Sequence, residues 1–563
     1  MNSLTEKLLL KFSDVSAFDG VAAFISILAA ALFAAAALKQ FFMRIEGPNA
    51  KSPDAKDTDA DALHRRDINP SWASAVAALV IMLSAVLLSY LKLHQYYTLE
   101  TGAFDHGLEA NVAWNTVHGN GFYGSLHDMN YLGGDHFSPI QVITGTLFYL
   151  WEDAAVLLLV QTAGIALGAA AVYRLALSIT GDRLLSLLFL PMFLFNPYLH
   201  MVNRFDYHPA ALALPAYLWA LYFMRTGRMT WFIASVLIAF STTEKAPLDI
   251  AGLGAFMCFN RDTRRAGAAL LLSSVVLFIL EIKVIMPFYN DGESMMHFDR
   301  YGNLGSGLGG IALNLAKNPM LFLEQSFLNA RKMESLFYLF AAFGFLPLSA
   351  GLPLMTVFAP VMGNLLSGYD GQWQFKFHYT ASVIPFLLYA SIHGAANFRR
   401  ITGRRYGGQR AGAAACYLVS AFAMLNLAAV LLFVPYPGGR RGEASDIAEF
   451  MRIKGGFDKR AAVCAQSPLV PHLAMRKYVY LFDSNTAKQI KCKTAEYVVL
   501  DTQAGFWPFD TNEKYLAEVV NVLGDKTFGV EHAAHGVIAL KKGRSRTQNA
   551  KALEYVESLR RRP

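Results

Sequence analysis

Apolar runs of about twenty residues recur between residues 17 and 435, and arginine concentrates in only some of the short connections between them. That pairing constrains the fold more than any motif does. A helix crossing the hydrocarbon core needs roughly 20 mostly apolar residues. The clearest runs, 72–92, 154–177, 266–288, 379–397 and 411–435, have about that length. Only 16% of residues are charged and 54% are hydrophobic, whereas a soluble domain carries about a quarter charged residues. The formal charge of +8 would suggest nucleic acid in a soluble protein. Here its distribution matters more than its sum, and no nucleic-acid partner is expected.

The connections 174–183, 225–228, 260–265 and 398–410 carry twelve arginines, whereas 93–150 holds no lysine or arginine. Positive residues in short loops mark the cytoplasmic side, so an even number of crossings must separate these loops. This pairs 184–201 with 209–225, 230–243 with 246–259, and 266–288 with a run near 335–350. It adds 352–368 and 379–397 before the loop 398–410. The short stretch 137–151 reads as an interfacial helix on the outer surface. Helix 17–43 is long enough to span, and its length, without a short h-region and cleavage site, does not read as a cleavable signal peptide. With it the expectation is an α-helical polytopic membrane protein of about 12 transmembrane helices. Residues 1–71 form an N-terminal helix and charged cytoplasmic linker, and 72–435 the transmembrane core. Residues 436–563 hold short β-branched or aromatic runs such as "EYVVLD" and "GVIALKK". They predict a small extracytoplasmic α/β domain, in which Cys464 and Cys492 leave one disulfide open.

On this topology every unusual polar cluster falls on the outer face. These are "FDHG" (104–107), "GGDHFSP" (133–139), "RFDYHP" (204–209), "TTEKAP" (242–247), "HFDRYGNLGSGLGG" (297–310) and "QFKFHYT" (374–380). Solvated loops have no need of ionisable residues flanked so often by Phe, Tyr and Pro. Asp105 lies between Phe104 and His106 just after the first long run, with Glu100 and Glu109 on either side read as solvated or capping residues.

Several segments together resemble an uncharacterised family of predicted polytopic membrane proteins, among them "FDHGLEANVAWNTVHGNGF", "GDHFSPI", "RFDYHPAALALP" and "KFHYTASVIPFLLYA". "VCAQSPLVPHLAMRKYVYLF" resembles that family's C-terminal part. The likeness covers about residues 72 to 505. The family is grouped with the GT-C glycosyltransferases, which use lipid-phosphate-linked sugars. The resemblance therefore implies a GT-C-like core in a bacterial inner membrane, and transfer of a sugar from a polyprenyl-phosphate donor to a glycan, lipid or protein acceptor. In GT-C enzymes a catalytic Asp or Glu sits in the first outer loop, the position Asp105 occupies here.

Such chemistry needs one carboxylate base, because phosphate leaves without a general acid. Asp105 fits that role, or caps the following helix. Asp135 and His136 are candidates to position the acceptor, or to join Asp105 around a divalent ion such as Mg or Mn, since some GT-C enzymes are metal-dependent. Asp206, His208 and Glu244 are further site candidates, or members of structural ion pairs such as Arg204–Asp206. Lys245, Arg300, Lys376, His378 and Tyr379 are candidates for the lipid phosphate. The other class of function is a polytopic transporter or flippase of a lipid-linked or envelope substrate. That class predicts internal repeats and ionisable residues near helix centres, and no clear repeat is evident.

Overall fold

The computed structural model describes residues 72–293, 295–434, 445–484 and 486–561. The helix expected at 17–43 and its linker lie outside them. The membrane part is built from α1 (Trp72–Tyr97), α2 (Leu108–Val117), α3 (Ala155–Thr180), α4 (Arg183–Leu194) and α5 (Pro197–Arg204). It continues through α6 (Ala213–Arg225), α7 (Met229–Phe240), α8 (Ala246–Cys258), α9 (Arg264–Tyr289), α10 (Ala330–Ala341), α11 (Met355–Leu365), α12 (Ile384–Tyr406) and α13 (Gly408–Phe433).

Among the described residues four helices, α1, α3, α9 and α13, are long and apolar enough to cross a membrane alone. The count becomes five if α4 and α5 form one span bent by 48°. The expected total of about twelve is therefore not reproduced. The break at Asn196–Pro197 is local chemistry: the Asn196 side chain caps α5 by accepting from Tyr198 N, and Pro197 occupies the first turn. Elements such as α7 and α8, at 12 and 13 residues, extend only ~20 Å. The run near 335–350 breaks at Ala341 into short 3₁₀ turns. Close approaches hold these shorter helices to their neighbours. A Cβ on Gly254 would lie 2.7 Å from Leu271 N, and one on Gly267 2.7 Å from Met257 Cβ, so α8 and α9 touch backbone to backbone.

Three of the four arginine loops, 174–183, 225–228 and 398–410, meet at one end. Arg399 bonds Asp182 at 2.8 Å, and Arg225 donates to Ser178 O at 3.4 Å. From there α3 and α12 run back to the polar clusters at the other end. His208 N donates to Gln161 Oε1 on α3, and His378 lies six residues before α12 begins. Residues 141–149 form a short helix and a 3₁₀ turn that expose Val142, Ile143, Tyr149 and Leu150.

The C-terminal domain carries a five-stranded sheet of order β2-β1-β3-β5-β4: β1 (Val463–Ala465), β2 (Val479–Leu481), β3 (Tyr497–Asp501), β4 (Phe528–Ala534) and β5 (Val537–Lys542). β1 pairs in parallel with β2 and β3, while β5 pairs antiparallel with β3 and β4. Cys464 and Cys492 form a disulfide. The domain docks on the first polar loop. Buried Asn111 donates to Ala474 O and Arg476 O, His472 Nε2 meets Tyr96 O at 3.1 Å, and Ser125 Oγ donates to Val479 O. Truncating Asn111 would leave Arg476 O, and Ser125 N, which donates to Asn111 Oδ1, without these partners, at about 1–3 kcal/mol for each buried group.

Candidate active site

The segment after α1 is held in an irregular turn from two sides. Gly102 N donates to Asp206 Oδ2 at 2.8 Å, and Ala103 N to Ser467 Oγ of the C-terminal domain at 3.0 Å. Beneath it the buried Lys92 ammonium binds Arg204 O and Phe205 O at 3.1 and 2.5 Å. A Cβ on Gly107 would fall 2.8 Å from Val470 Cγ1, so glycine is what lets the domain sit this close. Asp105, between these anchors, has φ of +64°. With ψ of −94° it lies outside the left-handed helical region that Asp and Asn tolerate, in a positive-φ conformation that is rare and strained for a residue with a side chain. Phe375 and Phe377, at +54° and +57°, also have positive φ, which is strained for bulky residues.

Asp105, His208 and His378 offer ligand atoms that all lie within 4.8 Å of one another. The two imidazoles stack at 3.8 Å. His208 Nδ1 accepts from Ala210 N, so the neutral ring carries its proton on Nε2, 4.0 Å from Glu109 Oε1. His378 Nδ1 is buried without a hydrogen-bond partner. Burial, reinforced by Asp206 and Asp135, pushes the Asp105 carboxyl up to about 7. Burial holds both histidines well below the usual imidazole range. Arg300 approaches from the 297–310 loop, donating to the Tyr379 hydroxyl at 3.2 Å and lying 5.0 Å over the Tyr369 ring.

The second group is closed on itself. Asp135 takes His127 Nδ1 at 3.0 Å and His297 Nε2 at 2.7 Å. His136 Nδ1 binds Glu244 at 3.1 Å, and Glu244 also accepts from Phe137 N and Thr243 Oγ1. Burial opposes charge on all three, but the paired charges outweigh it. Glu244 falls to about 2, His136 rises to about 9, and Asp135 lies well below the carboxylate range.

No curated protein matches the chain. Residues 95–538, more than half of the chain, match the model of a family described as "Predicted membrane protein (DUF2079)". The chain belongs to the DUF2079 family. A solved structure, that of ArnT from Cupriavidus metallidurans bound to undecaprenyl phosphate, is similar at 13% identity and a TM-score of 0.43, covering 81% of this chain and 97% of that one.

The geometry of this DUF2079 member departs from the sequence expectations at several residues. Glu109 is neither solvated nor a cap. It is 1% exposed, bonded by the Tyr131 hydroxyl and the Gln141 amide, because α2 is covered by the 131–141 segment and the C-terminal domain. Burial pushes its carboxyl well above the usual range. Asp105, Asp135 and His136 are not one ligand set: Asp105 groups with His208 and His378, while Asp135 and His136 group with His297. Glu244 and Lys245 turn apart. The Lys245 ammonium binds Asn364 and Ser382 and lies 3.7 Å from Asp249, so it is held by the helices and not by the cluster. Lys376 is exposed. Asp206 engages Gly102 N and lies within the field of Lys92, with burial setting its carboxyl at about 6. Tyr379 stands beside both His378 and Arg300. His297 was legible only as part of "HFDRYG", and nothing in the sequence marks His127 as its companion.

For a divalent ion, the Asp105–His208–His378 set fits better than the second group. His378 Nδ1 is buried without a partner, His208 would bind a metal only after giving up the bond from Ala210 N or the proton on Nε2, and two imidazoles with one carboxylate suit Mn or Zn more than Mg. The Asp135 oxygens are already taken.

Proposed function

We propose that the protein transfers a sugar from a polyprenyl-phosphate donor to an acceptor hydroxyl on the outer face of a bacterial inner membrane, with Asp105 as the base. The observation that carries this reading is the placement of Asp105. It is a dehydrated carboxylate in a strained turn, pinned by Asp206 and Ser467, with a guanidinium in its field and an open cleft at its side. The resemblance to GT-C enzymes supports the same residue.

In this reading the acceptor oxygen attacks the anomeric carbon as the bond from that carbon to the phosphate oxygen breaks. The phosphate leaves with the bonding electrons, and the acceptor proton passes to Asp105. Inversion follows from a single displacement. Arg300, oriented by Tyr379 and Tyr369, stabilises the departing charge through bonds of the charge-assisted kind. A carboxyl held near 7 is matched to proton abstraction near neutral pH. The outer-face assignment draws on the three arginine loops gathered at the opposite end and on the Cys464–Cys492 disulfide, since disulfides persist in oxidising compartments.

The test is Asp105→Asn in nanodiscs, following release of lipid phosphate from a polyprenyl-phosphate sugar. A loss of at least about 100-fold with normal folding is expected; near-normal turnover would remove Asp105 as the base. The geometry also favours a second use of the same residues. Asp105, His208 and His378 would hold a divalent ion that supplies charge stabilisation to the phosphate. In that case chelation abolishes turnover and each of the three residues is needed for metal content.

A further inference from the structure

The end of the molecule opposite Asp105 carries a cleft of its own, which the transfer step does not use. It has a volume of about 490 Å³ where the last turns of α3 and α12 meet the start of α13. Arg399, Arg400 and Arg404 line it beside Thr180 and Gly403, and no carboxylate is among its lining residues.

The stretch "RRITGRRYGG" (399–408) builds this recess. Arg400 and Arg404 stand four residues apart on α12 and so share one face. Gly407, at φ of +85°, reverses the chain between α12 and α13, a backbone conformation that glycine adopts without strain. A Cβ on Gly408 would meet nothing within 4 Å, so the wall beside the reversal stays open. The inner edge is fixed. Arg399 bonds Asp182 at 2.8 Å, and its Nε would lie 3.7 Å from a Cβ on Gly412 of α13.

Charge and position narrow the occupant. The connections 174–183 and 398–410 hold seven arginines and a single carboxylate, Asp182, which Arg399 already engages. Arg400 and Arg404 are exposed, and among the described residues neither guanidinium makes an ion pair or a hydrogen bond. Charge that only orients a chain in the membrane acts through its amount and has no need of a recess. Two unpaired guanidinium forks at a recess match the oxygens of a phosphate. Apolar side chains stand open in the same connections, Ile401 at 62% and Leu184 at 52% exposure. Cations and exposed apolar groups at one level mark the plane where hydrocarbon gives way to headgroups. Basic pockets between spanning helices on this side take acidic lipid headgroups.

We infer that this cleft binds the phosphate of an anionic phospholipid headgroup, with Arg400 and Arg404 as its ligands and Arg399 as the fixed edge. The site does not rest on the transferase reading, since Asp105 lies at the other end of the helices.

The experiment titrates the full chain in neutral detergent with phosphatidylglycerol, phosphatidylcholine or glycerol 1-phosphate and counts bound molecules by native mass spectrometry. Preferential retention of phosphatidylglycerol is expected. Arg400→Gln combined with Arg404→Gln should weaken it at least about tenfold, the loss of charge-assisted bonds. Arg261→Gln combined with Arg265→Gln removes the same charge from exposed positions outside the cleft and should weaken it less than about threefold. Equal losses in the two pairs would overturn the inference, because net charge and not the cleft would then hold the lipid. Equal retention of phosphatidylcholine would overturn it as well. Glycerol 1-phosphate bound as tightly as the lipid would overturn it in favour of a soluble phosphate compound. Should the double variant fail to fold, Arg400→Gln and Arg404→Gln made singly carry the test, and unchanged binding in both overturns it. Either result leaves the Asp105 assignment to its own assay.

Discussion

Asp105 with His208 and His378, and Asp135 with His136, His297 and Glu244, are built from the same residue types at the same end of the helices, yet they behave as opposites. In the second group every carboxylate has a hydrogen-bonding partner and is ionised. In the first, His378 Nδ1 has no partner and Asp105 sits near 7. A buried charge that is fully paired fixes structure, because removing one member strands the other. A buried group left unpaired costs stability and persists where something else uses it. The pairing, more than the residue type, separates scaffold from site.

The largest effect should come from breaking the closed group. Glu244→Gln is expected to lower stability by about 3–5 kcal/mol, the range for a stranded buried charge, seen as a fall in thermal midpoint in detergent. Its pH dependence has a definite sign. Glu244 is depressed from 4.5 to about 2, so its contribution is present above 4.5 and lost as pH falls toward 2. His136 is raised from 6.5 to about 9, so its contribution is present below 6.5 and lost as pH rises through 9. The difference between wild type and variant should therefore be greatest between pH 4.5 and 6.5. A difference flat with pH would break the contrast between the two groups.

Next comes Asp105→Asn, with its loss of about 100-fold in turnover and the opposite stability behaviour. The folded state favours protonated Asp105, so ionisation costs stability progressively as pH rises from 3.8 through about 7. At pH 8 the neutral Asn variant should be no less stable than wild type, and in wild type kcat/KM should rise with pH through about 7. A variant that is both inactive and unfolded would place Asp105 with the structural group.

Smaller effects sharpen the boundary on the phosphate side. Arg300→Met should weaken donor binding at least about tenfold, the loss of one charge-assisted bond. Lys376→Met, at an exposed position, should change it by less than about threefold, measured by competition with a polyprenyl phosphate. Equal losses in the two variants would show that long-range charge, and not the Tyr369–Tyr379 seat of Arg300, holds the donor.

Hydropathy and the arginine loops were enough to assign a polytopic membrane protein, to gather the polar clusters at one end, and to set a small α/β domain after residue 435. These follow from sequence alone because solvent preference and loop charge are properties of single residues and short windows. Helix lengths were less legible, since a bend such as Asn196–Pro197 or the Ala341 break depends on capping within an apolar run. Which polar residues meet was decided by the tertiary structure. Glu109 looked solvated until the covering C-terminal domain and Tyr131 were in place, Lys245 looked available until Asn364 and Ser382 claimed it, and the partners of Asp105 proved to be His208 and His378, 103 and 273 residues away along the chain. A carboxylate's burial, its partners and its proton affinity are set by groups distant in sequence, so only the folded chain determines which acid is scaffold and which is free to act.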